Sequence, residues 1–142
     1  MILKIKGKPK PKQSVRGGKG FFYKDPKIKE KEEDIKRQIK EQLPKDFEII
    51  TEAIKINRLT YIFPIPKTNK KIQKAINEGK TVYRPKVPDL TDNLNKMLFD
   101  SMEDVFENDK QIVMMNNVIK IYGEEPGIIL DLEIMPENEI CL

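Results

Sequence analysis

The chain has 142 residues, 38% of them hydrophobic and 35% charged, with 27 basic and 23 acidic side chains for a formal net charge of +4; this suits one compact, highly charged soluble domain and is too short for two ordinary ones. There is no histidine, which excludes Ser-His-Asp and Cys-His nucleophile chemistry, imidazole bases and nearly every protein zinc site. The single cysteine, Cys141, excludes a disulfide framework and makes a reducing cytoplasm the expected location, and no apolar run approaches the ~20 residues of a membrane span.

The opening residues, Met1 to Lys6, have no long apolar stretch behind their charges and do not read as a secretory signal. Leu3 and Ile5 alternate with Lys4 and Lys6, which predicts a short strand. Gly7 to Gly20, broken by Pro9, Pro11, Gly17 and Gly18, predicts a mobile, basic loop without regular structure. Phe21, Phe22 and Tyr23 then read as an edge strand, with stacking on an exposed base as their other use. Asp25-Pro26 supplies an N-cap and a first-turn proline, and Ile28, Ile35, Ile39 and Leu43 continue at helical spacing up to Pro44.

From Ile49 to Phe63 the β-branched and aromatic residues Ile54, Ile56, Tyr61 and Phe63 predict a long strand, stopped by Pro64 and Pro66. Thr68 to Glu78 reads as a short helix with Ile72, Ala75 and Ile76 on one face and Gly79 as its cap. After Val87-Pro88-Asp89-Leu90-Thr91-Asp92-Asn93, the apolar positions Leu94, Met97, Leu98, Ser101, Met102 and Val105 define a helix face, with Asp92, Lys96, Asp100 and Glu103 opposite it. Residues 111–122 read as a strand, Gly123 to Gly127 as a turn, and Ile128 to Ile134 as a last strand. Tyr83 and Arg84 lie just before the acidic segment, either as a connector or near a substrate. Together these elements predict a two-layer α/β (α+β) single domain, residues 1–142, with a mixed sheet and about three helices.

Charge is distributed unevenly along this frame. Residues 1–24 hold eight basic side chains and no acid, and residues 67–86 hold seven against Glu78 alone. Residues 87–142 hold three basic groups against thirteen acids. Such blocks suit a polyanion grip beside a cation site, or a solvated acidic surface with lysines that only aid solubility. For the grip, the candidates are Lys8, Lys10, Lys12, Arg16 and Lys19 in the first block and Lys67, Lys70, Lys71, Lys74, Arg84 and Lys86 in the second. Asp89 and Asp92 at a loop-to-helix junction and Asp109 in the loop after that helix offer the hard oxygen ligands magnesium prefers. Lys96, one turn beyond Asp92, is placed to steady a phosphate. The same residues also read as helix caps, an i,i+4 ion pair and a turn.

Pro88-Asp89, Asp92-Asn93-Leu94, Lys96, Asp100 and Asp109 with Gln111-Ile112 resemble the signature of RusA-type Holliday junction resolvases, a P-D-x-D-N-x-x-K helix start followed by D-D-x-Q-I. Gly7-Lys8-Pro9-Lys10-Pro11-Lys12 is similar to the family's opening G-x-P-x-P-K loop, and Lys120-Ile121-Tyr122-Gly123 with Pro126-Gly127 to its closing hairpin. The resemblance covers most of the chain in order. It implies that Asp89, Asp92 and Asp109 hold magnesium, that Lys96 is the essential lysine, and that a homodimer makes paired nicks across four-way DNA. It also implies carriage by phages and prophages, roles in recombination and repair, and no small-molecule cofactor. Two residues, Leu90 and Thr91, separate the first aspartates where the family usually has one, and Asn108 and Lys110 replace an aspartate and a small polar residue. A catalytically impaired DNA-binding accessory protein and a basic RNA-associated module are the competing readings.

Overall fold

The computed structural model describes residues 1–12, 16–18, 21–23 and 26–139, and of 16–18 and 21–23 the backbone only. The opening alternation forms β1 (Ile2–Lys6), which buries Leu3 and Ile5 and leaves Ile2, Lys4 and Lys6 exposed. Within the expected 7–20 loop, β2 (Arg16–Gly18) pairs antiparallel with β3 (Phe21–Tyr23). Glycines weaken a strand without forbidding one. The helix α1 (Pro26–Gln42) starts on its proline and stops before Pro44, with Ile28, Ile35 and Ile39 buried and Leu43 packed at the edge of the core. The capping aspartate expected at residue 25 lies outside the described residues.

The central strand β4 (Ile54–Pro64) buries Ile54, Ile56, Leu59, Tyr61 and Phe63. It starts later than the sequence pattern predicts, because Ile50 forms only an isolated bridge with Phe106. The helix α2 (Lys70–Asn77) is capped by Asn69, whose side chain accepts from the Ile72 amide at 3.2 Å, and Gly79 ends the turn at φ 81°. The helix α3 (Asn93–Asp100) buries Leu94, Met97 and Leu98. It ends five residues before the apolar spacing does; Ser101 folds its hydroxyl back onto the Met97 carbonyl at 2.7 Å, and Met102 and Val105 reach the core from turns.

The predicted strand 111–122 is divided into β5 (Ile112–Met115) and β6 (Val118–Gly123), separated at Asn117 with φ 50°. The last strand is β7 (Gly127–Ile134). The five-stranded sheet runs β1-β7-β4-β5, with β6 also paired to β4. Parallel β4–β5 and β4–β6 pairs combine with antiparallel β1–β7 and β7–β4 pairs, giving the mixed sheet and three α-helices of a single α+β domain. The closing segment is therefore not a hairpin. β4 lies between β6 and β7, and the turn after Gly123 passes over the end of β4 at Pro64, which has no amide to donate. Gly127 sits where a Cβ would come within 2.3 Å of the Ile5 carbonyl oxygen, so only glycine lets β7 meet β1 there.

One edge of the sheet is sealed by side chains. Gln38 and Gln42 on α1 each exchange two hydrogen bonds, of 2.7–2.9 Å, with the backbone of Lys6 and Lys4. The amides act as a missing strand would. Among the described residues no helix is long and apolar enough to cross a membrane.

Candidate active site

The segment before α3 is irregular and rich in proline, so its position depends on side-chain anchors. Arg84 stacks its guanidinium on the Phe63 ring at 4.5 Å and the Tyr122 ring at 5.5 Å, and donates to the Val87 carbonyl at 2.9 Å through Nη2. Lys120 donates through Nζ to the carbonyls of Lys86 at 2.7 Å and Pro88 at 2.8 Å. Asn95 donates to the Leu90 carbonyl at 2.8 Å, and the Tyr61 hydroxyl donates to Asn95 Oδ1 at 2.8 Å. Burial of Tyr61 pushes its phenol pKa up, so it remains a donor. Three clamps thus fix the loop that carries Asp89 and Asp92.

Both carboxylates project from that loop into solvent. Asp92 occupies the N-cap of α3, yet its side chain makes no capping bond; its carbonyl accepts from the Lys96 amide at 2.9 Å. Lys96 is exposed one turn along and makes no ion pair among the described residues. The predicted partner Asp100 is occupied elsewhere. Lys12 bridges Asp100 and Glu32, the latter at 3.2 Å. Burial opposes the Lys12 charge, but hydrogen bonds and attraction from Asp100 and Glu32 outweigh it and hold the ammonium above the usual lysine range.

Asp109 stands elsewhere. It opens a single 3-10 turn, Asp109–Gln111, capped by Asn108, whose Oδ1 accepts from the Lys110 amide at 2.9 Å. Gln111 latches this turn to the start of the sheet by donating to the Ile50 and Glu52 carbonyls at 2.8 and 3.0 Å. Asp109 shares a cleft with Phe99, Asp100, Glu103 and Glu107. That cleft is at the C-terminal end of α3, whereas Asp92 is at its start, about 12 Å away along the axis at ~1.5 Å per residue. Among the described residues no group of three or more His, Cys, Asp or Glu is placed to hold a metal ion. Asp89 and Asp92 still fit the donor chemistry of magnesium: they are exposed oxygen ligands without ion-pair partners among the described residues, and that ion commonly takes one or two carboxylates with water and phosphate.

The basic candidates fall into three groups. Lys8, Lys10, Lys67, Lys70, Lys71, Lys74 and Lys86 are exposed, with Lys74 only 4.0 Å from Glu78. Lys12 and Arg84 are engaged in the contacts above, and the side chains of Arg16 and Lys19 lie outside the described residues. Tyr83 bridges to Ile121 as part of the cover over β6. Sequence reasoning missed Lys120 and Asn95 as anchors. Lys120 carried a signal, being the charged residue in the otherwise apolar Val118–Tyr122 run.

The family model described as Endodeoxyribonuclease RusA matches residues 3–133. No curated protein matches the chain.

Proposed function

The chain belongs to the RusA endodeoxyribonuclease family, and from that premise we propose that it is a magnesium-dependent, structure-specific endonuclease that resolves Holliday junctions by paired nicks during DNA recombination and repair. The observation that carries this reading is the clamped loop presenting the Asp89 and Asp92 carboxylates at the start of α3, beside Lys96, which has no ion-pair partner among the described residues. Magnesium bound there would supply an activated water and neutralise charge on the phosphodiester.

The chain's own residues divide the remaining work. Asp89 and Asp92 gather the cation; Asp109, the third carboxylate that the family resemblance assigns, stands apart from them in the cleft at the far end of α3. Lys96 lays its ammonium on the reacting phosphate and favours the extra negative charge of the transition state. The exposed lysines of 8–10, 67–74 and 86 grip the backbone of branched DNA without reading its sequence. Lys12 and Arg84 serve by holding the frame rather than by meeting phosphate. Residues 1–142 act as one nuclease domain, with the 7–20 segment as a basic arm, in a homodimer working on DNA in the cytoplasm of a cell or prophage host.

Synthetic four-way junctions incubated with magnesium or with chelator test the reading. Symmetric nicks that require the metal are expected. Binding without cleavage would replace it with an accessory DNA-binding role, for which the extra residue between Asp89 and Asp92 is the reason. No preference for junctions over duplex would favour a basic RNA-associated module.

A further inference from the structure

Residues 7–12 cross the molecule as a strap pinned at both ends. The Gly7 amide donates to the Pro126 carbonyl at 3.1 Å, with Gly7 at φ 113°, a conformation that favours glycine. At the other end the Lys12 amide donates to the Asn93 carbonyl at 3.0 Å. Between the pins Pro9 is buried, while Lys8 and Lys10 are exposed. Pro9 and Pro11 restrict the backbone, so this stretch is stiffer than the mobile loop its composition predicts. Lys12 makes a second attachment. Its ammonium bridges Asp100 and Glu32 of α1, the latter at 3.2 Å and 7% exposed. Asn93 and Asp100 are the first and last residues of α3, ~10 Å apart at ~1.5 Å per residue. One residue therefore brackets the whole helix that follows Asp92 and carries Lys96. Because one lysine faces two carboxylates, the cluster is negative overall and repels a phosphate.

We propose that Lys12 is a positioning residue for cleavage: it joins the strap that grips DNA through Lys8 and Lys10 to both ends of α3, and so sets the gripped phosphates at a fixed distance from Asp92 and Lys96. The proposal rests on the reading of those two residues as cleavage groups. Rigid placement matters because a phosphate held in the wrong register binds as well and reacts slowly. Lys12 does two things at the joint. Its backbone fixes the end of the strap to the start of α3, and its ammonium screens Asp100 from Glu32. Without that charge the two carboxylates repel each other, and α3 moves from α1 and from the strap together. A second ion pair, Lys36 with Glu103 at 2.8 Å, also links α1 to the chain just after α3, but it has no connection to the strap. It supplies the natural comparison.

Single-turnover nicking of four-way junctions at saturating protein, beside a gel-shift Kd taken without metal, separates placement from grip. Lys12→Met should slow nicking by about 10²-fold, as a shift of ~1 Å in a reacting group does, at a near-native Kd. Lys12→Arg keeps the bridge and should recover most of the rate, whereas Lys36→Met should nick as the native chain does. Asp100→Asn should also slow nicking, and adding it to Lys12→Met should cost nothing further, since both remove one joint. A Lys12→Met chain that binds weakly and nicks normally once saturated would make Lys12 a phosphate ligand and overturn the proposal. Equal slowing by Lys36→Met, or losses that multiply in the double variant, would overturn it too. A native chain that does not nick is a different failure, that of the underlying reading. Hydrogen exchange then tests the joint by itself: Lys12→Met should speed exchange along α3 and leave β4 and β7 as in the native chain. Unchanged protection in α3 would mean that Lys12 does not hold the helix.

Discussion

Asp92 sits where an aspartate ordinarily caps a helix, and its carboxylate does not do so. A capping aspartate replaced by asparagine costs little, since both side chains accept the same backbone bond. The proposed metal role makes the opposite demand. Asp92→Asn and Asp109→Asn should each lower the nicking rate by on the order of 10³-fold, the kinetic equivalent of several kcal/mol, while junction binding holds or tightens. Gel-shift titration beside single-turnover cleavage makes the comparison, and near-normal nicking by both variants would remove them from the site. Lys96 has no ion-pair partner among the described residues. Lys96→Ala should slow cleavage by about 10²-fold, as loss of one transition-state donor does, with a smaller loss of binding. An effect confined to thermal stability would make it a helix residue and nothing more.

At the level of elements, the hydrophobic spacing of Ile28, Ile35 and Ile39, of Ile54 to Phe63 and of Ile128 to Ile134 reported real elements, because periodicity follows burial. Burial is also why it overran α3. Met102 and Val105 are in the core, but the chain reaches them by turns after Ser101, and a spacing rule does not separate the two cases. The break at Asn116–Asn117 and the placing of β4 between β6 and β7 were not legible, since strand order depends on contacts far apart in sequence. The loop carrying Asp89 and Asp92 was readable as a motif, but not as a clamped structure; the sequence leaves Arg84 as either a connector or a group near the substrate, and the stacking of its guanidinium on Phe63 and Tyr122 depends on contacts far apart in the chain. Close packing of β1 on β7 gives a sharp test of the topology. Gly127→Ala drives a methyl into the Ile5 carbonyl and should destabilise the fold by about 2 kcal/mol or more, read by urea denaturation; a neutral result would mean that β1 does not sit there.

Across the whole molecule, a net charge of +4 conceals the basic blocks 1–24 and 67–86 and the acidic block 87–142. A phosphate grip built from those blocks predicts a steep salt dependence. With about six phosphates neutralised, junction affinity should fall ~10³-fold between 50 and 200 mM salt, and a shallow slope in a titration would leave the lysines as solubilising surface. The central claim, paired incision by a metal-dependent nuclease, meets its most direct test on a supercoiled plasmid that extrudes a cruciform. Two coordinated nicks convert the circle straight to a linear molecule, whereas independent nicks first release an open circle that is no longer a substrate. The protein with magnesium should yield linear DNA cut symmetrically at the cruciform, and none with chelator. Open circles as the lasting product, or cutting that survives chelation, would contradict it.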